Sequence, residues 1–223
     1  MSIDLDAIRK TVAALLAEIP AVVTLVAAAK SRTPEEVLAA VEAGIKIIGE
    51  NYVQETEAAQ AAVGKRCQWH FIGHLQKNKI RKAVALFDLI QTVDSLETAG
   101  EIDKRAAEAG KIMPVLIEVN SGREPQKAGV FPEHAAEVAA GIAGLKNVRL
   151  EGLMTMGPEL GDAEASRPYF RETKRLFDDL AKASLPGVRM ETLSMGMSDS
   201  WRVAIEEGAT LVRLGTRIFG PRA

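Results

Sequence analysis

Three kinds of residue in this chain could do chemistry together: an amine at the end of one apolar run, two loops of glycine and hydroxyl residues, and an arginine within another run. Lys30 closes the run Val22–Ala29, which is rich in β-branched and small residues and is flanked by Pro20 and Pro34. Such a run reads as a buried strand. Burial disfavours the ammonium form, so this lysine is expected to have little water around it and a lowered pKa. A neutral amine held on a rigid element can form an imine with an aldehyde or ketone. Taken alone, a lysine at a strand end more often snorkels to water, and the rest of the chain must separate the two readings.

The loop Ser194-Met195-Gly196-Met197-Ser198 follows one short apolar run, and Gly215-Thr216 follows the last one. Small residues let backbone N–H groups approach an anion, and serine or threonine adds a hydroxyl donor. Each loop alone is compatible with a tight turn only; the pair suits a phosphate. Arg213 lies two residues before Gly215, so on a strand the two face the same way. An inward arginine needs a partner, since an unpaired buried charge is costly. Glu118 or Glu151 could supply one as a structural ion pair; the alternative is an acceptor on a ligand, such as a heterocyclic ring nitrogen. His70 and His74 with the single Cys67 lack the spacing of a zinc set, so no metal is expected. His70, between Trp69 and Phe71, reads as a satisfied core histidine, and His74 as more open.

What would position these groups is a repeated alternation of short apolar runs and amphipathic segments. The strand candidates are Val22–Ala29, Ile45–Gly49, Gln68–Ile72, Leu89–Val93, Met113–Asn120, Val148–Met154, Met190–Leu193 and Thr210–Leu214. A first helix is marked by Leu5, Ile8, Val12, Leu15, Leu16 and Ile19 and is ended by Pro20. Further helix starts are expected at Thr33-Pro34-Glu35-Glu36, Asp94-Ser95-Leu96-Glu97, Phe131-Pro132-Glu133 and Ser198-Asp199-Ser200. Gly44, Gly110 and Gly208 follow helical stretches. Ser166 to Ala183 reads as the longest helix after the first. Strands alternating with helices imply parallel pairing by right-handed crossovers, and eight such units close into a single-domain (β/α)8 TIM barrel with an extra N-terminal helix. The expected organisation is one domain over 1–223, with 1–19 the helix and 22–223 the barrel. A doubly wound sheet is the runner-up, but Lys30-Ser31-Arg32 stands where its glycine-rich turn would be.

Composition narrows the function classes. With 28 basic and 30 acidic residues the net charge is −2, which gives no electrostatic reason to expect nucleic acid or an anionic membrane. A lone cysteine fits a reducing compartment, and the acidic start at Asp4 and Asp6 is unlike a secretory signal. The expectation is a cytoplasmic protein without a membrane span, and a monomer.

In a β/α barrel the strand carboxyl ends carry the chemistry, and a phosphate is often held by the last two loops. An amine across the barrel mouth from such a site, with an inward arginine, fits an aldehyde-bearing phosphorylated ligand. Pyridoxal 5'-phosphate meets that description.

The segments Val26-Ala27-Ala28-Ala29-Lys30-Ser31-Arg32, Ile48-Gly49-Glu50-Asn51-Tyr52-Val53-Gln54-Glu55 and Trp69-His70-Phe71-Ile72-Gly73-His74-Leu75-Gln76 resemble the pyridoxal phosphate homeostasis protein family. So do Gly152-Leu153-Met154-Thr155-Met156, Leu193-Ser194-Met195-Gly196-Met197-Ser198-Asp199 and Val212-Arg213-Leu214-Gly215-Thr216-Arg217. The family is similar to the barrel domain of alanine racemase standing alone, of fold type III. The resemblance implies a Schiff base between Lys30 and the cofactor, phosphate-loop positions at Ser194, Ser198, Gly215 and Thr216, Arg213 facing the pyridine nitrogen, and Asn51 lining the cofactor; Met195 and Gly196, within the Ser194–Ser198 loop, are counted with the cofactor-binding residues. Ala29, Arg32 and His74 depart from the commoner family residues without removing a group the cofactor needs.

The implied role is pyridoxal phosphate homeostasis: binding the cofactor reversibly and passing it to apo forms of pyridoxal-phosphate-dependent enzymes, without robust catalysis. An arginine opposite the ring nitrogen cannot take its proton, so the ring is a weaker electron sink. Racemases with this arginine bring a tyrosine from a second domain. Here the sequence stops at Ala223, soon after the eighth unit, so that domain is expected to be missing, and Tyr52 and Tyr169 offer no clear second base. The alternatives are a racemase-like enzyme using the same Schiff base, and a Schiff-base aldolase acting on a sugar phosphate, which would be colourless.

Overall fold

A computed structural model describes residues 4–158 and 161–221; residues 1–3 of the expected N-terminal segment and the final Arg222 and Ala223 lie outside the described residues. The chain runs α1 (Leu5–Glu18), β1 (Thr24–Ala28), α2 (Pro34–Glu42), β2 (Ile47–Glu50), α3 (Val53–Val63), β3 (Gln68–Phe71), α4 (Ile80–Leu86), β4 (Leu89–Val93) and α5 (Leu96–Glu108). It continues through β5 (Met113–Glu118), α6 (Ala135–Ala143), β6 (Val148–Met154), α7 (Arg167–Ala183), β7 (Thr192–Ser194), α8 (Trp201–Glu206), β8 (Leu211–Leu214) and α9 (Thr216–Phe219). The strands pair in parallel in chain order and close into a barrel when β1 pairs with β8, Thr24 opposite Leu211 and Ala27 opposite Leu214. The expected β/α barrel with its leading helix is therefore the fold.

Alternation along the strands divides their side chains between two cores. Val26, Ile47 and Leu211 meet inside the barrel at one side, and Leu89, Leu116 and Met154 at the other. The intervening residues, such as Leu25, Ile48, Ile90, Ile117, Leu153 and Val212, face the helices in the main apolar cluster. Local chemistry sets several helix starts. Asp4 accepts from the Ala7 amide to cap α1, and Ser95 accepts from Thr98 to cap α5. Thr33 and Glu36 form a reciprocal capping box on α2, with Pro34 in its first turn.

Some boundaries differ from the sequence expectation. β1 begins at Thr24 rather than Val22, because the Val23 amide bonds back to Pro20 O in a turn that leaves Val22 86% exposed. β5 stops at Glu118, after which Val119 bridges to Val130 instead of extending the strand. β7 spans Thr192–Ser194, displaced toward the loop. α8 starts at Trp201 after Ser198-Asp199-Ser200. α7 has 17 residues and exceeds the 14 of α1. Among the described residues no helix is long and apolar enough to cross a membrane.

Candidate functional site

Lys30 sits in a tight turn built from three elements. The Ala29 amide donates to Gly49 O on β2 (2.9 Å), and the Arg32 amide returns to Ala29 O (2.9 Å). Between them Ser31 takes a left-handed conformation with φ 61°, and its amide donates to Glu55 Oε2 of α3 at 3.0 Å. This holds the lysine backbone while its side chain is half-buried, wetter than the sequence suggests, with Nζ 5.3 Å from the centre of the Tyr52 ring. A cavity of about 430 Å³ opens beside it, lined by Lys30, Asn51, Tyr52, Phe71, His74 and Lys79 among others. Asn51 thus shares a cavity with the amine, and exposed His74 stands at its rim.

Beneath this corner Glu50 is buried, with Oε2 lacking a hydrogen-bond partner among the described residues. Burial, helped by the Glu55 charge, pushes its carboxyl up to about 8.

On the other side of Lys30 lie the β7 and β8 loops. Because barrel closure makes β1 and β8 neighbours, the Lys30 turn and the Gly215–Thr216 loop follow adjacent strands, not strands on opposite sides of the mouth, and a Cβ on Gly215 would fall 3.1 Å from Ala28 O. The two loops are joined: the Ser198 hydroxyl accepts from the Arg217 amide (3.2 Å), and the Arg213 amide donates to Gly196 O (3.0 Å). Gly196 has φ 92° and a Cβ there would fall 2.5 Å from Ala204 Cβ, so this bend against α8 requires glycine. Among the described residues the amides of Gly196, Ser198 and Gly215 have no acceptor, and Thr216 opens α9 where no helical acceptor exists. Those four amides are donors available to an anion. Met195 is different: its side chain is fully buried and its amide donates to Leu211 O, so it shapes the loop from below.

Ser194, a phosphate-loop position by resemblance, has its hydroxyl engaged inside the barrel. It is fully buried, its hydroxyl donates to Gln91 Oε1 (2.6 Å), and it accepts from Arg213 Nη1. Arg213 Nη2 donates to Thr155 O (3.0 Å), and the Thr155 hydroxyl donates to Val119 O and meets Ser121. Gln91 in turn contacts His70 Nδ1 at 3.0 Å. A continuous hydrogen-bonded chain therefore crosses the barrel from His70 on β3 through Gln91 and Ser194 to Arg213 on β8. Neither of the two possible ion pairs of Arg213 forms: Glu151 pairs with Arg149, and Glu118 lies near enough to interact with Arg213 only through its charge. Burial lowers the Arg213 pKa to about 10, with Glu118 opposing, so the guanidinium is cationic at neutral pH. Burial raises Glu118 to about 7, with Asp94 adding to the rise and Arg213 resisting it. Burial also holds His70 down to about 4, which keeps it neutral.

The mouth of the barrel thus presents a primary amine after β1, a set of amides without acceptors among the described residues after β7 and β8, and a fixed buried cation on β8. That combination suits a small anionic carbonyl compound with a ring acceptor. Gln91, buried inside β4, is the residue of this network that the sequence analysis does not single out. The signal was there in a glutamine at an inward position of an otherwise apolar strand.

Comparison with known proteins is consistent with this geometry. Residues 3–223 match the family model described as alanine racemase, N-terminal domain. The pyridoxal phosphate homeostasis protein of Aquifex aeolicus (strain VF5) is 43% identical over 199 residues, 89% of this chain and 86% of its own length. The protein of the same name from Pasteurella multocida (strain Pm70) is 37% identical, over 90% of this chain and 87% of its own. Among solved structures, PipY of Synechococcus elongatus PCC7942 with PLP bound aligns with a TM-score of 0.88 at 35% identity, over 96% of this chain and 100% of that one. Alanine racemase of Clostridium difficile 630 in complex with cycloserine aligns with a TM-score of 0.82 at 17% identity, over 99% of this chain and 61% of that one, a likeness of fold.

Proposed function

The chain belongs to the alanine racemase N-terminal domain family and, within it, to the pyridoxal phosphate homeostasis proteins, and from that premise we propose that it stores pyridoxal 5'-phosphate as a Schiff base on Lys30 and releases it to apo-enzymes. One observation supports the reading above the others. β1 pairs with β8, so the Lys30 turn and the Gly215–Thr216 loop follow neighbouring strands, and Arg213 lies buried on the strand that leads into that loop. In this reading the amides of Gly196, Ser198, Gly215 and Thr216 hold the phosphate, with the Ser198 and Thr216 hydroxyls as further donors. Asn51 lines the ring. Arg213 meets the pyridine nitrogen, while Ser194 and Met195 serve from beneath, one fixing the arginine and the other the loop. The whole chain acts as a single cofactor-holding unit, a cytoplasmic monomer.

When bound, the cofactor supplies an electrophilic aldehyde on an electron-withdrawing ring. The chain's own residues restrain what that chemistry can do. Arg213 is fixed by Ser194 and Thr155 O and offers donors only, so it leaves the ring nitrogen without a proton. Racemisation needs bases on opposite faces of the substrate carbon; Lys30 supplies one, and the ring of Tyr52 lies against Lys30 itself. Holding and releasing is the use these groups support best. Loaded protein incubated with single L-amino acids is expected to form the D-enantiomer no faster than free pyridoxal phosphate does, while reactivating an apo-enzyme. Racemisation clearly above the free cofactor would replace the carrier reading with a racemase-like enzyme.

A further inference from the structure

Arg32 stands two residues beyond Lys30, and its side chain is spent on the far end of the phosphate-side element. Nη1 donates to Phe219 O at 3.1 Å and Nη2 to Gly220 O at 2.5 Å, while the guanidinium lies 5.5 Å from the centre of the Phe219 ring. Glu36 on α2 holds the guanidinium from behind at 3.4 Å, and its other oxygen accepts from the Thr33 amide at 2.8 Å. The pair is nearly dry, with 10% and 9% of the side chains exposed.

These contacts close a loop of structure. α9 is a single turn of four residues, too short to be stable by itself. At one end the Ile218 and Phe219 amides bond to Gly215 O, both at 2.9 Å. At the other, the Phe219 and Gly220 carbonyls have lost any helical donor and receive the fork of Arg32. Gly215 and Thr216 are therefore tied to the Lys30 turn twice, through the β1–β8 ladder and through Arg32.

We propose that Arg32 is a positioning residue: by clamping the carboxyl end of α9 it fixes the Gly215–Thr216 loop at a set distance from Lys30, and so sets how tightly an aldehyde that carries a phosphate is held. The inference rests on the cofactor reading above and concerns only its phosphate half. An ammonium has no planar fork, so Arg32→Lys keeps the charge and loses one of the two carbonyl bonds.

The test compares pyridoxal 5'-phosphate with pyridoxal, which lacks the phosphate, on the full chain and on its Arg32→Lys and Arg32→Ala variants, following the absorbance of the bound aldehyde. Arg32→Ala is expected to weaken pyridoxal phosphate by about tenfold, with Arg32→Lys between it and the parent, while pyridoxal affinity stays nearly constant. Without ligand, hydrogen exchange at the amides of Ile218 to Gly220 should quicken in both variants. Equal losses for the two aldehydes, or unchanged affinities, would overturn the proposal, since a general structural role moves both alike. If the parent chain takes up neither aldehyde, the cofactor reading itself fails. Should Arg32→Ala not fold, Arg32→Lys alone decides through the same ratio.

Discussion

At the scale of single residues the buried arginine carries the most information. Its two side-chain bonds go to Ser194 and Thr155 O, and Ser194 is held in turn by Gln91. Gln91→Leu removes the acceptor from the serine and the partner from His70, leaving polar groups unmet in a dry interior. A loss of about 1–3 kcal/mol in urea unfolding is expected, together with a shifted absorption band of the bound aldehyde as Arg213 turns. An unchanged band would detach Gln91 from the site. The two serines should also part company. Ser198→Ala should weaken pyridoxal phosphate and spare pyridoxal, whereas Ser194→Ala should alter the band and leave the ratio of the two affinities alone; the reverse pattern would return Ser194 to the phosphate. Lys30 and Arg213 were legible in the sequence because each ends or interrupts an apolar run. The link from Gln91 to Arg213 was not, because it runs through Ser194, 103 residues from Gln91, and the two meet only when the barrel closes.

At the scale of elements, the site depends on how closely neighbouring strand ends approach. A Cβ on Gly73 would fall 2.4 Å from Asn51 O and 2.7 Å from Asn51 Cα, both backbone atoms. Gly73→Ala must therefore push the β2–α3 link aside, and is expected to lower both the melting temperature and the affinity for pyridoxal as well as its phosphate. An unaffected affinity would mean that Asn51 does not line the ligand. Thr33→Ala breaks the capping box of α2 and should cost about 1 kcal/mol in the same urea measurement. Local signals of this kind made α2 and α5 readable in advance. α3 was not readable: only Val53, Thr56, Ala59 and Val63 are buried in it, a weak stripe in an alanine- and glutamate-rich segment. The ends of β1, β5 and β7 were blurred because backbone bonds to distant segments decide where each strand stops, and apolar composition runs past those points.

At the scale of the whole molecule, the buried titratable groups give stability a definite pH dependence. Burial raises Glu50 to about 8 and Glu118 to about 7 from an ordinary 4.5, so the folded state binds protons that the unfolded chain releases. Their contribution is full below 4.5 and is lost as pH rises through those values. His70, held down to about 4 from 6.5, acts in the opposite sense, contributing above 6.5 and losing its share as pH falls. The effects oppose each other from 4.5 to 6.5, and only the carboxyls act from 6.5 to 8. The urea midpoint should fall across that upper window, and Glu50→Gln should flatten the decline; a midpoint that rises there would contradict the burial argument.

The account turns on the Lys30 amine, which lines a cavity with Asn51 and follows the strand next to the one that leads into Gly215–Thr216. Borohydride reduction of the protein loaded with pyridoxal 5'-phosphate, followed by peptide mapping, tests it most directly. The predicted result is one reduced adduct, on Lys30, absent from a Lys30→Ala variant whose melting temperature matches the parent. An adduct on another lysine, or one that persists in Lys30→Ala, would contradict it.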